Sequence, residues 1–234
     1  MLLSHNQSQA HELKFRFPSY RRAAILQWLH HLCQPDPQFP RHRIATIYYD
    51  TLDRQLIGEK QNSDYRKTKV RVRWYNPVDQ PETSDGTWLE IKQKTGAQRH
   101  KRRFRLPYSQ AMLASLPLEH PLVCVEIPQQ LPIHGIAVTT ALRPMFLLQY
   151  ERYRFIEPVQ RVRVCVDNHL SVLKVNRQLF PVRPLAPNPV VVLEIKGAVT
   201  GLPPALRPLL NLGCVKTSFS KYGACYRELL REGG

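Results

Sequence analysis

The sequence predicts an α+β fold, a closed antiparallel β-barrel with a charged lumen, covered by several α-helices. Three observations lead there. Run after run alternates cation and apolar residue with period two, the spacing that puts all the charges on one side of a strand. A Glu-x-Lys pair recurs at Glu12-Leu13-Lys14, Glu90-Ile91-Lys92 and Glu194-Ile195-Lys196, each time around an apolar residue. Between these runs lie short segments with helical spacing and Pro-rich loops. With 234 residues, 43% of them hydrophobic, the chain is long enough for one large β domain, read as spanning 1–234.

Taken in order, ELKFRF (12–17) sets Glu12, Lys14 and Arg16 against Leu13, Phe15 and Phe17, the first strand. Pro18 breaks its ladder. Ser19 is placed to cap an amphipathic helix through about Cys33, whose apolar stripe is Ala24, Ile25, Trp28, Leu29 and Leu32. IATIYYDT reads as a strand and LDRQLIGEK as a short helix or turn. KVRVRWY places Lys69, Arg71 and Arg73 on one face and Val70, Val72 and Trp74 on the other.

The turn-rich NPVDQPETSDG separates that strand from WLEIKQK, where Glu90, Lys92 and Lys94 face together. KRRFRL adds Lys101, Arg103 and Arg105. Short helices are expected in YSQAMLASL and around Val138–Leu142, with loops at the prolines. Alternation returns in QYERYRFI, aligning Tyr150, Arg152 and Arg154, and in RVRVCVD, aligning Arg161, Arg163 and Asp167. Short strands are expected at 170–173 and 178–182. PVVVLEIKG follows as a strand, then a helix over about 203–212 and a closing helix in SFSKYGACYRELLRE capped by Ser218 or Ser220.

One such run alone would serve equally as the wet face of an open sheet. Together they carry far too many like charges for that, because cations crowded on one sheet face repel. Lys and Arg number 34 against 18 acids, a formal charge of +16, so the expected partner is a polyanion. Arg offers a planar bidentate fork to phosphate oxygens and Lys a point charge. Glu12 and Glu90 read equally well as ion-pair partners that stabilise the unliganded protein. Glu194 reads as a metal ligand, since hard divalent cations are held by one or two carboxylates plus substrate phosphates.

Other classes are disfavoured. The five cysteines are odd in number and lack C-x-x-C spacing, against a zinc site or disulfide framework and for a reducing, cytoplasmic home. No apolar run reaches the ~18 residues of a membrane span, and MLLSHNQSQAHE has no signal-peptide core. The histidines are scattered, with His30, His31 and His100 read as surface residues. Specific nucleic-acid binding would interleave aromatics with the cations. Phe15, Trp74, Phe104 and Phe155 fall instead on the apolar face.

These strands, in this order, resemble the VTC domain, the catalytic domain of the vacuolar transporter chaperone polyphosphate polymerases, within the triphosphate tunnel metalloenzyme (CYTH-like) group. The matching stretches are ELK (12–14), KVRVRWY (69–75), LEIKQK (89–94), KRRF (101–104), YERYRF (150–155), RVRVCVD (161–167), VLEIKG (192–197) and SFSKY (218–222). The resemblance implies a metal-dependent polymerase that moves the γ-phosphoryl of ATP onto a growing polyphosphate chain, with manganese, or alternatively magnesium, in a basic tunnel. It implies Lys14, Arg71, Arg73, Lys92, Lys101, Arg152, Arg163, Lys196 and Lys221 as phosphate ligands, and Glu194 as the metal ligand. Tyr150 and Ser220 would donate hydrogen bonds to substrate oxygens. Tyr150 also reads as a core aromatic, and Ser220 equally as a helix cap.

Two departures from the family pattern stand out. Ala10 occupies the place of a second Glu before Glu12, against a two-metal hydrolase, and Ser218 stands where relatives carry a cation. No SPX-like regulatory segment is legible, and a membrane-protein partner is not identifiable. Two alternatives use the same fold: hydrolysis of tripolyphosphate or a nucleoside triphosphate, and non-catalytic polyphosphate binding.

Overall fold

In the computed structural model the described residues are 11–78, 86–137, 140–182 and 186–231. In chain order the strands are β1 (His11–Pro18), β2 (Gln34–Pro35), β3 (Arg41–Thr51), β4 (Arg66–Pro77), β5 (Thr87–Thr95), β6 (Gln98–Leu106), β7 (Leu142–Ile156), β8 (Arg163–Val175), β9 (Val190–Gly197) and β10 (Val215–Lys216). The α-helices are α1 (Arg22–Leu32), α2 (Gln55–Gln61), α3 (Gln110–Ser115), α4 (Ile127–Ile133) and α5 (Lys221–Arg231). They form two compact units, each assembled from separated stretches of chain.

The first unit takes the chain as far as His42, then Tyr150–Leu170 and Asn188–Ser220. Its strands run β10-β1-β9-β8-β7, with β2 added on β7. The Glu-x-Lys motifs explain one register directly. In antiparallel pairing, Glu12 lies opposite Lys196 and Lys14 opposite Glu194, so each charge meets its complement across β1 and β9. The other face is dry. Phe15, Phe17, Val164, Val166, Val191, Leu193 and Ile195 form a core with Ile25 and Leu29 of α1 and with Leu206 and Leu209 of a 3-10 helix over Pro204–Leu212. Gly197 ends β9 where a Cβ would stand 2.6 Å from Val162 Cγ1, which requires glycine there.

The second unit comprises Arg43–Gln149, Ser171–Pro187 and the chain from Lys221 onward. Its strand order is β7-β3-β4-β5-β6. Ala45, Ile47, Tyr49, Val70, Val72, Trp74, Leu89 and Ile91 pack beneath α4 and the π-helical turn over Leu122–Glu126 that leads into it. β5 and β6 are joined at Gly96, whose φ of 58° is a left-handed backbone that favours glycine in a tight hairpin.

Several expectations are corrected. The strand order has two edges, β10 and β6, where a closed ring was expected. β10 is only Val215–Lys216, too short to carry a ladder further, and β6 is exposed and charged along most of its length, a protected edge. The antiparallel, helix-covered α+β class holds. The α1 stripe narrows to Ile25 and Leu29, with Trp28 38% exposed, and Ser19 begins a 3-10 turn instead of capping the helix. Leu142, expected in a helix, opens β7; Val138 and Thr139 lie outside the described residues, as do 79–85 of the turn-rich segment. No strand forms over 178–182, and 170–173 is simply the continuation of β8.

Candidate functional site

Two charged faces result, one in each unit. On the first, Arg152 of β7 grips Asp167 of β8 with Nε to Oδ1 and Nη2 to Oδ2, both 2.6 Å, and its Nη2 also donates to Glu194 Oε2 at 3.1 Å. Glu194, 6% exposed, is further flanked by Lys14 Nζ at 3.4 Å from Oε1 and Lys196 Nζ at 3.6 Å from Oε2. Glu12 bridges Lys14 and Lys196, at 3.4 Å from each. Arg163 stands opposite Lys196 in the β8–β9 register and is exposed. Burial disfavours the charge on Arg152, but Asp167, Tyr150 and Glu194 hold it firmly protonated.

On the second face, the β4–β5–β6 register stacks charges in rows across three strands. Arg71, Glu90 and Arg103 form one row, Lys69, Lys92 and Lys101 the next. Glu90 is the carboxylate among them and its side chain is fully buried. One of its oxygens, Oε2, accepts from Arg71 Nε at 2.9 Å and Nη2 at 2.6 Å and lies 3.9 Å from Arg73 Nη1. The other, Oε1, has Lys101 Nζ at 3.4 Å and Arg103 Nε at 3.7 Å. Burial would raise the Glu90 pKa, yet Arg71, Arg73 and Lys101 together hold it well below the usual carboxylate range.

The sequence-predicted residues therefore divide between the faces. Lys14, Arg152, Glu194 and Lys196 come together in the first unit, with Arg163 beside Lys196. Arg71, Arg73 and Lys101 converge on Glu90 in the second, with Lys92 between Lys69 and Lys101 in register. Tyr150 is 1% exposed, with the Arg152 guanidinium 5.6 Å from its ring centre. Ser220 immediately precedes α5, the position of a cap, and Lys221 is the buried first residue of that helix.

Sequence reading overlooked several residues of these faces. Tyr48, on β3, takes a hydrogen bond at 3.4 Å from Arg71 Nη1, and Thr46 accepts one from Arg73 Nε at 3.1 Å. Burial alone would raise the Tyr48 pKa, but Arg71, Arg73, Lys69 and Lys221 bring it down to about 8. Tyr222 stacks on Tyr48 at 4.9 Å and donates to Asp50 Oδ2 at 2.7 Å, tying α5 to β3. The signal was present in IATIYYDT, whose alternate positions Thr46, Tyr48 and Asp50 share one side. Trp88 is a correction of another kind. It lies between Arg73 and Arg105 on the cationic face, with the Arg103 guanidinium 3.7 Å over its ring, so aromatics are not confined to the apolar side.

Among the described residues no group of three or more His, Cys, Asp or Glu is arranged to hold a metal. The first face carries three carboxylates, each already facing cations: Glu12 with Lys14 and Lys196, Asp167 with Arg152, and Glu194 with Arg152, Lys14 and Lys196. That donor set fits an ion held chiefly by phosphate oxygens and water.

The model of the VTC domain family matches residues 9–230, nearly the whole chain. The chain belongs to the VTC domain family. Solved structures similar to this VTC domain include a Hippeastrum protein named as a candidate adenylyl cyclase, for which a dominant triphosphatase activity is described. It is 15% identical, covering 91% of this chain and 92% of that one, with a TM-score of 0.45. Another is a candidate adenylate cyclase from Vibrio parahaemolyticus, 9% identical over 94% and 97% of the two chains, TM-score 0.48. A third, from Bacillus halodurans, is 16% identical over 91% and 96%, TM-score 0.46. No curated protein sequence matches this VTC domain. Among its described residues no helix is long and apolar enough to cross a membrane.

Proposed function

We propose that this VTC domain is an ATP-polyphosphate phosphotransferase, acting over residues 1–234 as one triphosphate tunnel domain in a reducing cytoplasm. The observation that carries the reading is the row-by-row stacking of cations on β4, β5 and β6 around the lone carboxylate of Glu90. In these rows the cations outnumber the one carboxylate, and a linear run of phosphates supplies negative charge at matching density.

In this reading Arg71, Arg73, Lys92, Lys101, Arg152, Arg163 and Lys196 hold the triphosphate of ATP and the end of the acceptor chain, with Lys14, Lys221, Tyr150 and Ser220 as supporting ligands. A terminal anionic oxygen of the polyphosphate attacks the γ-phosphorus of ATP. The bond from that phosphorus to the β–γ bridging oxygen breaks, ADP leaves, and the chain is one phosphoryl unit longer. The attacking oxygen carries no proton, so no general base is needed. Catalysis rests on alignment and on cations already in place where charge builds. Glu194 would hold a divalent ion, manganese or magnesium, which when bound neutralises charge on the phosphates.

Incubation with ATP and Mn²⁺ tests this. The expected products are ADP and a polyphosphate chain degraded by exopolyphosphatase. Release of one orthophosphate per ADP, with no chain, would assign the protein to hydrolysis; binding of polyphosphate with no turnover would make it a non-catalytic binder.

A further inference from the structure

β6 stands at one end of the sheet order: it pairs with β5, and among the described residues no strand lies along its other side. In an antiparallel pair alternate residues turn both N–H and C=O away from the partner strand. β6 therefore presents a row of backbone donors and acceptors along its outer edge, and residues 98–103 are all exposed. Its side chains are of one sign. QRHKRRFRL carries Arg99, Lys101, Arg102, Arg103 and Arg105 and no acid. By parity Arg99, Lys101, Arg103 and Arg105 share one side, His100, Arg102 and Phe104 the other.

On the first side Lys101 and Arg103 reach Glu90 Oε1 at 3.4 and 3.7 Å, but that carboxylate also serves Arg71. Among the described residues no carboxylate forms an ion pair with Arg99, Arg102 or Arg105. On the second side Phe104 stacks on the His134 ring at 3.8 Å, and Arg102 Nη1 donates to the carbonyls of His134 and Gly135 at 3.3 and 3.4 Å. These contacts hold the strand in place from one side. Three kinds of occupant could lie along such an edge, and their chemistry separates them. A second copy of β6 would set cation against cation along the new pair, so the charge that protects this edge excludes it. A phosphate chain would neutralise the side chains, yet it brings only acceptors, and the outward carbonyls of β6 would face an anion. An extended acidic peptide brings N–H and C=O together. Its carboxylates at alternate residues recur every 7 Å or so, in phase with Arg99, Lys101, Arg103 and Arg105.

We propose that the outer edge of β6 docks an extended acidic segment of a partner protein, with Asp or Glu at every second position, which joins the sheet as a further strand. Backbone pairing supplies the register, and the cations of β6 select the sign of the partner. This docking is independent of the phosphate chemistry proposed above.

The test uses the unmodified full chain and three fluorescent peptides of equal charge: one that alternates Thr and Glu, the same peptide N-methylated at every residue, and one with its Thr and Glu residues in separate blocks. N-methylation keeps every carboxylate and removes every N–H donor. The alternating peptide should bind at least about tenfold more tightly than either of the others, because several backbone hydrogen bonds or the phase of the charges is lost in them. Hydrogen exchange read by mass spectrometry should show the alternating peptide protecting amides of β6. No binding of that peptide, or equal binding of all three, would overturn the docking edge; equal binding is what attraction to any polyanion gives. Protection confined to other strands would overturn it as well. So would protection of β6 that appears without peptide and grows with protein concentration, which would assign the edge to a second copy of the chain.

Discussion

Glu90→Gln is expected to lower the stability of the unliganded protein by about 3–5 kcal/mol, the cost of leaving buried charges without their partner. Arg71 and Arg73 are 8% and 6% exposed and both turn toward the Glu90 carboxylate, so the variant leaves them facing each other and Lys101 with one negative charge removed. Thermal unfolding followed by circular dichroism measures the loss. Tripolyphosphate should then raise the melting temperature of the variant more than that of the unmodified protein, because an anion that binds the folded state replaces the missing charge. Acid titration gives a second signature. The Glu90 carboxyl is held below its unfolded value of about 4.3, so its contribution is complete above that pH and is lost as pH falls below it. Glu90→Gln should lack that component of the acid transition. A variant as stable as the parent, with the same acid transition, would show that the Arg71–Glu90 pair does not balance the face.

Glu194→Gln should reduce phosphoryl transfer by on the order of 100-fold or more, the usual scale for removing one preorganised electrostatic element. Its effect on binding has the opposite sign. Glu194 sits among Arg152, Lys14 and Lys196, so neutralising it increases the net positive charge that meets a polyanion. Polyphosphate affinity should be retained or tightened while turnover collapses. Titration calorimetry and a single-turnover assay on the same preparation separate the two. Parallel loss of affinity and turnover would identify Glu194 as a structural anchor for Arg152. Asp167→Asn serves as the comparison, because Asp167 provides both short contacts to Arg152.

Much of this was legible from parity alone. In ELKFRF, KVRVRWY, LEIKQK, RVRVCVD and VLEIKG the apolar core side and the charged side separate by parity as the alternation demands. Burial does not follow it, since Arg71, Arg73, Glu90, Asp167 and Glu194 on the charged side are buried as well. The helix over Ile127–Ile133 was not legible, because Pro117, Pro121, Pro128 and Pro132 signal breaks in sequence, whereas Pro128 sits in the first turn where its missing N–H costs nothing. The partners of the charges were also hidden. Glu12 and Glu194 are balanced by a neighbouring Glu-x-Lys motif, a relation that depends on which strands pair. Glu90 has the same local sequence, yet β5 lies between two cationic strands, so it gathers several cations at once. Identical motifs thus acquire different surroundings through pairing that no local pattern encodes. Tyr48 was missed because the stretch IATIYYDT around it carries no cation to draw attention to its alternate side.

The most direct measurement is the position of phosphorus atoms in crystals soaked with tripolyphosphate and Mn²⁺. The account predicts ordered phosphates whose oxygens lie within hydrogen-bond distance of Arg71 and Arg73 on the β4–β6 face and of Arg152 and Arg163 on the β7–β9 face. Phosphates found only at exposed cations such as Arg207 and Arg227, with the Arg71–Glu90 and Arg152–Asp167 pairs closed and bare, would contradict it.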